Sequence, residues 1–146
     1  MQSFSFRTSN VTNANACLEV IAHATKPCRI REIEISLVTA AATVLGLGRP
    51  AATGITPTSP LTVLPEDVGL VAGGTTGAVA WGTGPTVPAN FIRRVSFGAT
   101  IGERVTWTWE RNEDLVVVPS ASIVLWNLLG GATLDVTIRV DERVRT

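Results

Sequence analysis

Few residues in this chain are of a type that does chemistry, and their spacing decides against most of it. His23 is the only histidine, and Cys17 and Cys28 are the only cysteines. A zinc site built from these residue types needs four ligands, and three are present. A histidine-rich metalloenzyme site of the cupin kind is excluded on the same ground. No serine lies in a GxSxG turn, so the strained elbow of a serine hydrolase is missing. Glu32 and Glu34 are two residues apart, which on a strand puts both carboxyls on one face. Paired carboxylates hydrolyse glycosides when they flank a sugar at fixed separation. Beside Arg29 and Arg31, however, they read more simply as a solvated strand face. Gly46-Leu47-Gly48-Arg49-Pro50-Ala51-Ala52 has the outline of a dinucleotide loop. That motif works only where it opens a helix whose N-terminus holds the pyrophosphate, and Pro50, Gly54 and Pro57 forbid such a helix. The reading is of no catalytic residue, no cofactor and no metal. Of the four tryptophans, Trp107 and Trp109 share a strand face with Val105 and belong to a core. Trp81, in Ala-Trp-Gly-Thr-Gly-Pro, is the one that could stand exposed as a sugar-stacking platform.

The elements that would carry these residues are strands. Ala132 to Glu142 alternates cleanly, with Leu134, Val136, Ile138 and Val140 on one side and Asp135, Thr137, Arg139 and Asp141 on the other. Ile123 to Leu129 is rich in branched and aromatic residues, and Gly130-Gly131 between the two runs predicts a two-residue hairpin turn. In that hairpin Ile123 and Leu125 share the core face with Val136 and Ile138, which leaves Val124, Trp126 and Leu128 on the opposite face. Outward positions of a solvated antiparallel sheet should be polar. These three are therefore the candidate oligomer interface, the alternative being a loop of the same subunit folded over them. Ala16 to Ala24 and Cys28 to Val38 read as strands, the second with a bulge near Arg31 because Ile30 is out of phase with Ile33, Ile35 and Leu37. If they form a hairpin near Lys26-Pro27, Cys17 lies too far from Cys28 for a disulfide, whose Cα atoms must come within about 7 Å. Two free thiols in the core are expected. Phe4 and Phe6 alternate with Ser3 and Ser5, as a short strand or, over residues 1–15, an N-terminal arm. From Gly46 to Asn90, Gly, Pro, Thr and Ala dominate, and prolines at 50, 57, 60, 65, 85 and 88 leave room for one or two short strands within long loops. Phe91 to Phe97, Arg104 to Glu110 and Leu115 to Val118 are further strands. The whole is one all-β domain, residues 1–146, of about eight to ten strands in a sandwich or barrel.

Composition points the same way. The chain is 45% hydrophobic and only 16% charged, so much of its surface must be small neutral residues or contact surface. Its 12 basic and 12 acidic residues cancel. A neutral chain without a basic stripe does not bind nucleic acid through phosphate neutralisation. No run approaches the roughly 18 apolar residues of a membrane-spanning helix, and MQSFSFRTSN is not a signal peptide. The sequon Asn10-Val11-Thr12 then has no role, and free thiols fit assembly in a reducing cytoplasm.

One resemblance runs through these same stretches. Leu115 to Glu142 has a short strand ending in Val118-Pro119, a small-residue turn, Ile123-Val124-Leu125-Trp126-Asn127, and an alternating strand ending in Val140-Asp141-Glu142. This pattern resembles the closing strands of small β-sandwich virion proteins of tailed bacteriophages. Gly46 to Ala52, Thr56-Pro57-Thr58-Ser59-Pro60 and Ala80-Trp81-Gly82-Thr83-Gly84 look like those proteins too, and the likeness covers about two thirds of the chain. It implies a jelly-roll antiparallel β-sandwich, commonly a homotrimer, that decorates the phage head as a cement protein. The implied partner is the major capsid protein, and the implied location is the capsid surface of the virion after assembly in the host cytoplasm. The 46–90 loops and the arm would make the contact, with Phe4, Phe6 and Trp81 as candidate capsid or glycan contacts. A virion-associated carbohydrate-binding module, or a collar or tail component, is the alternative.

Overall fold

The computed structural model describes residues 2–8, 15–61, 63–66, 73–110 and 113–142, with residues 2–8 and 15 described by their backbone. Among these residues are fourteen strands and no helix. The first four strands are β1 (Gln2–Thr8), β2 (Asn15–Ile21), β3 (Cys28–Leu37) and β4 (Thr43–Gly48). Five short ones follow through the Gly/Pro-rich region: β5 (Ile55–Pro57), β6 (Pro60–Leu61), β7 (Leu64–Pro65), β8 (Thr76–Ala78) and β9 (Trp81–Thr83). The chain closes with β10 (Arg93–Phe97), β11 (Arg104–Thr108), the short β12 (Leu115–Val117), β13 (Ser122–Gly130) and β14 (Leu134–Glu142).

The strands form two antiparallel sheets. One runs β11-β3-β14-β1-β7, with β12 continuing the line of β11 along β3; the other runs β10-β4-β13-β2-β8-β6. A separate two-stranded ribbon joins β5 to β9. The eight longer strands pair as nested partners: β1 with β14, β2 with β13, β3 with β11, and β4 with β10. The chain is thus folded back on itself about the Gly/Pro-rich region, and the doubled chain is wrapped into an antiparallel β-sandwich.

This topology corrects the expected hairpins. β13 lies in the second sheet and β14 in the first, so residues 131–133 carry the chain across the sandwich and turn no tight hairpin. β2 and β3 are divided between the sheets in the same way. Alternation fixes which face of a strand is buried, but not which strand lies beside it. Ile123 and Leu125 do share a core with Val136 and Ile138, across the interior and not along one face. Cys17 and Cys28 are buried in that core as free thiols. Burial raises their pKa values to about 12 and about 11, with weaker opposing hydrogen bonds from Asn127 and Thr75 respectively, and at Cys28 a smaller upward push from the Glu142 charge.

Two local expectations can be compared directly. The bulge near Arg31 is present: Arg139 pairs with Glu32 and Val140 with Ile30, and Arg31 is passed over. The extra residue lets Ile30 and Ile33 both face inward, and it frees the Arg31 guanidinium to reach Asp114 and, at 3.1 Å, Asp141. Arg29 also pairs with Asp114, so two cations tie the turn before β12 to the start of β3. Of the two readings of the N-terminus, strand or arm, residues 2–8 take the strand. Residues 2–8 are a full sheet strand between β14 and β7, with Phe4 in register with Ile138 and Phe6 with Val136. The period-two pattern of Phe and Ser is a strand pattern, and β14 offers it a free edge. Residues 9–14 and the side chains of Phe4 and Phe6 lie outside the described residues.

The end of β14 has its own anchor. The Glu142 carboxylate accepts hydrogen bonds from Thr75 N at 2.9 Å and Thr75 Oγ1 at 3.0 Å, and Lys26 Nζ lies 3.9 Å away. Burial pushes its pKa up, but these hydrogen bonds, one from Gly74 N–H and the Lys26 charge together outweigh it and leave it below the ordinary 4.5. A carboxylate with a depressed folded pKa stabilises the fold above its unfolded pKa, and that stabilisation is lost as pH falls through the folded value. Glu142→Gln should therefore lower the thermal midpoint at pH 7, and the difference from wild type should shrink as pH is taken below about 4.5. Thermal melts of both proteins across pH 7 to 3 measure this, and a gap that stays constant contradicts it.

Candidate functional site: the roofed face of the second sheet

The outer face of β13 is where sequence and structure part most informatively. Val124 and Trp126 are fully buried there and Leu128 is half-buried. They form a second, smaller core with Ala16, and Trp81 and Phe91 pack onto it from above. The cover comes from the Gly/Pro-rich region of the same chain. Val124 and Trp126 are thus corrected as an oligomer interface, having no surface left to give a partner, while Leu128 keeps part of its surface. The reason lies next door on β4, where Gly46 stands opposite Trp126 and Gly48 opposite Val124. A Cβ at Gly46 would come within 2.7 Å of the Phe91 ring, and one at Gly48 within 3.0 Å of Pro88. The Gly-Leu-Gly spacing that imitates a nucleotide loop is a strand with one face shaved flat so that a loop can lie on it.

Glu19 anchors this cover. It lies on β2 opposite Val124 and is completely buried. Its carboxylate accepts the Gly54 N–H on both oxygens at 3.1 Å and the Ser122 hydroxyl at 2.6 Å. Gly54 is held between that carboxylate and the Trp81 indole, and a Cβ there would collide with both. Gly54 opens the β5–β9 ribbon, so one buried acid fixes the root of an exposed element: Ile55 is 63% exposed and Thr56 has a positive φ of 54°. The indole N–H groups of Trp81 and Trp126 are buried with no hydrogen-bond partner. Each such group costs about 1–3 kcal/mol, so the two rings are present for the area they bury. Trp81 is half-buried, its ring placed against Gly54 and the small core, and does not stand free as a platform.

The remaining candidates are dispersed. Trp109 is buried and Trp107 half-buried against the main core, as expected from their shared face with Val105. Glu32 pairs with Arg139 at 3.2 Å on the outer face of the first sheet, and Arg139 also reaches Glu66 at 3.3 Å. Glu34 is flanked by Thr106 and Thr137 in register. His23 is a turn residue whose Nδ1 meets the backbone N–H and the hydroxyl of Thr25 at 3.2 and 3.0 Å. Among the described residues, no three His, Cys, Asp or Glu side chains are grouped as a metal ion requires, and no helix is long and apolar enough to cross a membrane. No protein-family model, curated protein or solved structure matches this chain.

Sequence reasoning does not single out Glu19. The available signal was a lone carboxyl in the otherwise apolar run Ala16-Cys17-Leu18-Glu19-Val20-Ile21-Ala22. Glu19→Ala should cost about 1.5–3 kcal/mol, the range for hydrogen bonds to a charged group, and should speed amide exchange at Gly54 and along the ribbon. Chemical denaturation and exchange mass spectrometry check the two parts. Trp126→Asp should unfold the chain outright, because it puts a charge in a closed apolar site. A soluble, dissociated mutant that keeps its β circular dichroism would contradict the intrachain roof.

Proposed function

We propose that this chain is a structural protein that attaches to the surface of a larger protein shell. Its fullest reading is a head decoration protein of a tailed bacteriophage, bound to the major capsid protein. The observation that carries the reading is the use made of the Gly/Pro-rich region. A buried carboxylate, two strand glycines and two aromatic rings fix parts of it, Gly54, Trp81, Pro88 and Phe91, against the outer face of the second sheet. From that cover projects an exposed ribbon without charge, Ile55 to Pro57 paired with Trp81 to Thr83. Ordered loops of this length in a small domain are usually functional or interface-forming.

Two further points support it. The nested strand pairings are the order expected of a jelly roll, in which a doubled chain is wound into two sheets. The stretches that resemble phage virion proteins map onto the elements just described: the roofed strand, the shaved strand and the ribbon. A homotrimer on the capsid surface of the virion is part of the proposal. Its subunit contacts must lie elsewhere than on Val124 and Trp126.

The test is co-sedimentation of the purified protein with heads assembled from the major capsid protein of the same phage. Saturable binding that raises the temperature at which heads come apart is the expected outcome. A ribbon variant, Ile55→Asp, should weaken that binding at least tenfold without changing the protein's own melting temperature. No association at micromolar protein overturns the reading. Saturable binding to defined glycans, lost in Trp81→Ala, replaces it with a carbohydrate-binding module.

A further inference from the structure

The charged side chains are sorted by position. Lys26, Arg29, Arg31 and Arg139 each pair with a carboxylate. Among the described residues, Arg49, Arg93, Arg94 and Arg104 form no salt bridge, and all four are exposed. These four lie along one edge of the sandwich. Arg93 and Arg94 are on β10, the edge strand of the second sheet, and Arg104 is on β11, the edge strand of the first. Arg49 follows β4 and donates from Nη2 to the Val116 carbonyl of β12 at 3.0 Å, spanning the two sheets at this edge. Two of the arginines are steadied by rings: the Arg93 guanidinium lies 5.9 Å from the Trp109 ring centroid and that of Arg94 5.7 Å from Phe91. Stacking of this kind holds a guanidinium in place while leaving its N–H groups free to donate.

We propose that the β10–β11 edge is a docking site for an extended, carboxylate-bearing segment of a partner protein. β10 and β11 are each bonded to a neighbour on one side only, so the edge also offers unpaired backbone groups. β11 is about 17 Å long, the length of roughly five extended residues. The local acids, Glu103 in the turn before β11 and Glu110 after Trp109, stand at its two ends. A segment with alternating acidic residues carries them all on one face, and would meet Arg94 while its backbone pairs with β10, or Arg104 while it pairs with β11. A nucleic acid fits less well: the chain has no net charge, and the two rings at this edge are covered by arginines and not open to bases. Charges on an edge strand can also act only to block aggregation, and that alternative predicts no ligand.

The proposal rests on the reading of the protein as one that attaches to others, but its test does not use heads. The full chain is titrated with an alternating Glu-Thr decapeptide, and hydrogen exchange is followed at residues 93–97 and 104–108. Expected are slowed exchange confined to these two strands and a several-fold loss of affinity between about 50 and about 300 mM salt. Arg93→Glu/Arg94→Glu should abolish the protection. Arg104→Glu, whose side chain has no salt bridge to lose, should weaken it while leaving circular dichroism and melting unchanged. No protection at millimolar peptide, equal protection by a Lys-Thr decapeptide, or tighter binding of a thymidine decanucleotide each overturns the proposal. Peptide binding by a protein that ignores phage heads leaves this edge standing and removes the proposed function.

Discussion

The structure depends on β13 being buried on both faces. Ile123 and Leu125 face the main core, and Val124 and Trp126 face the small one. A strand of this kind cannot lie at an edge or face water, and it needs a sheet neighbour on each side and a layer on each face. β2 and β4 supply the neighbours, the opposite sheet supplies one layer, and the Gly/Pro-rich region supplies the other. Burying each large apolar side chain is worth about 1.5–3 kcal/mol. Two or three of them on the outer face give the loops a reason to fold down that their own composition does not provide.

That requirement explains residues that look unrelated in the sequence. Gly46 and Gly48 are small because Phe91 and Pro88 must come close to the sheet. Glu19 is acidic because the roof brings a backbone N–H, that of half-buried Gly54, onto the face where its carboxylate is buried. Ser122 gives the same carboxylate a second donor from the start of β13, so one acid links β2, β13 and the ribbon. An unpaired buried carboxylate would be far more costly than the bonds it makes. Glu19 and the roof are consequently a matched pair, and each loses stability without the other.

Local structure was legible in the sequence and its long-range closure was not. The alternation of β14, the bulge at Arg31, the all-β class and the core tryptophans follow from periodicity and side-chain type, which depend on near neighbours. The expected hairpin at Gly130-Gly131 failed because its two strands satisfy the same burial pattern whether they lie side by side or face each other. Gly130 does take a positive φ of 83°, but Gly131 does not supply the second positive φ that a two-residue hairpin turn uses. The apolar outer face of Val124 and Trp126 was also read correctly as a face that needs a cover. Whether that cover is another subunit or another part of the same chain depends on where residues 49–92 travel. That path is set by Gly54 and Glu19, thirty-five residues apart and with no pattern in common.

The roof also separates two properties that a surface protein needs to combine. The fold is held by groups withdrawn from water: the two cores, Glu19 and the paired charges around Asp114 and Glu142. The outward ribbon and the arginine edge contribute little to that stability, since Ile55, Arg94 and Arg104 are exposed. Substitutions at these positions can change what the protein meets without changing whether it folds. The reverse holds at Gly46, Gly54 and Trp126, where almost any change is a change to the fold. A scaffold that fixes its loops from beneath leaves their upper side free to vary.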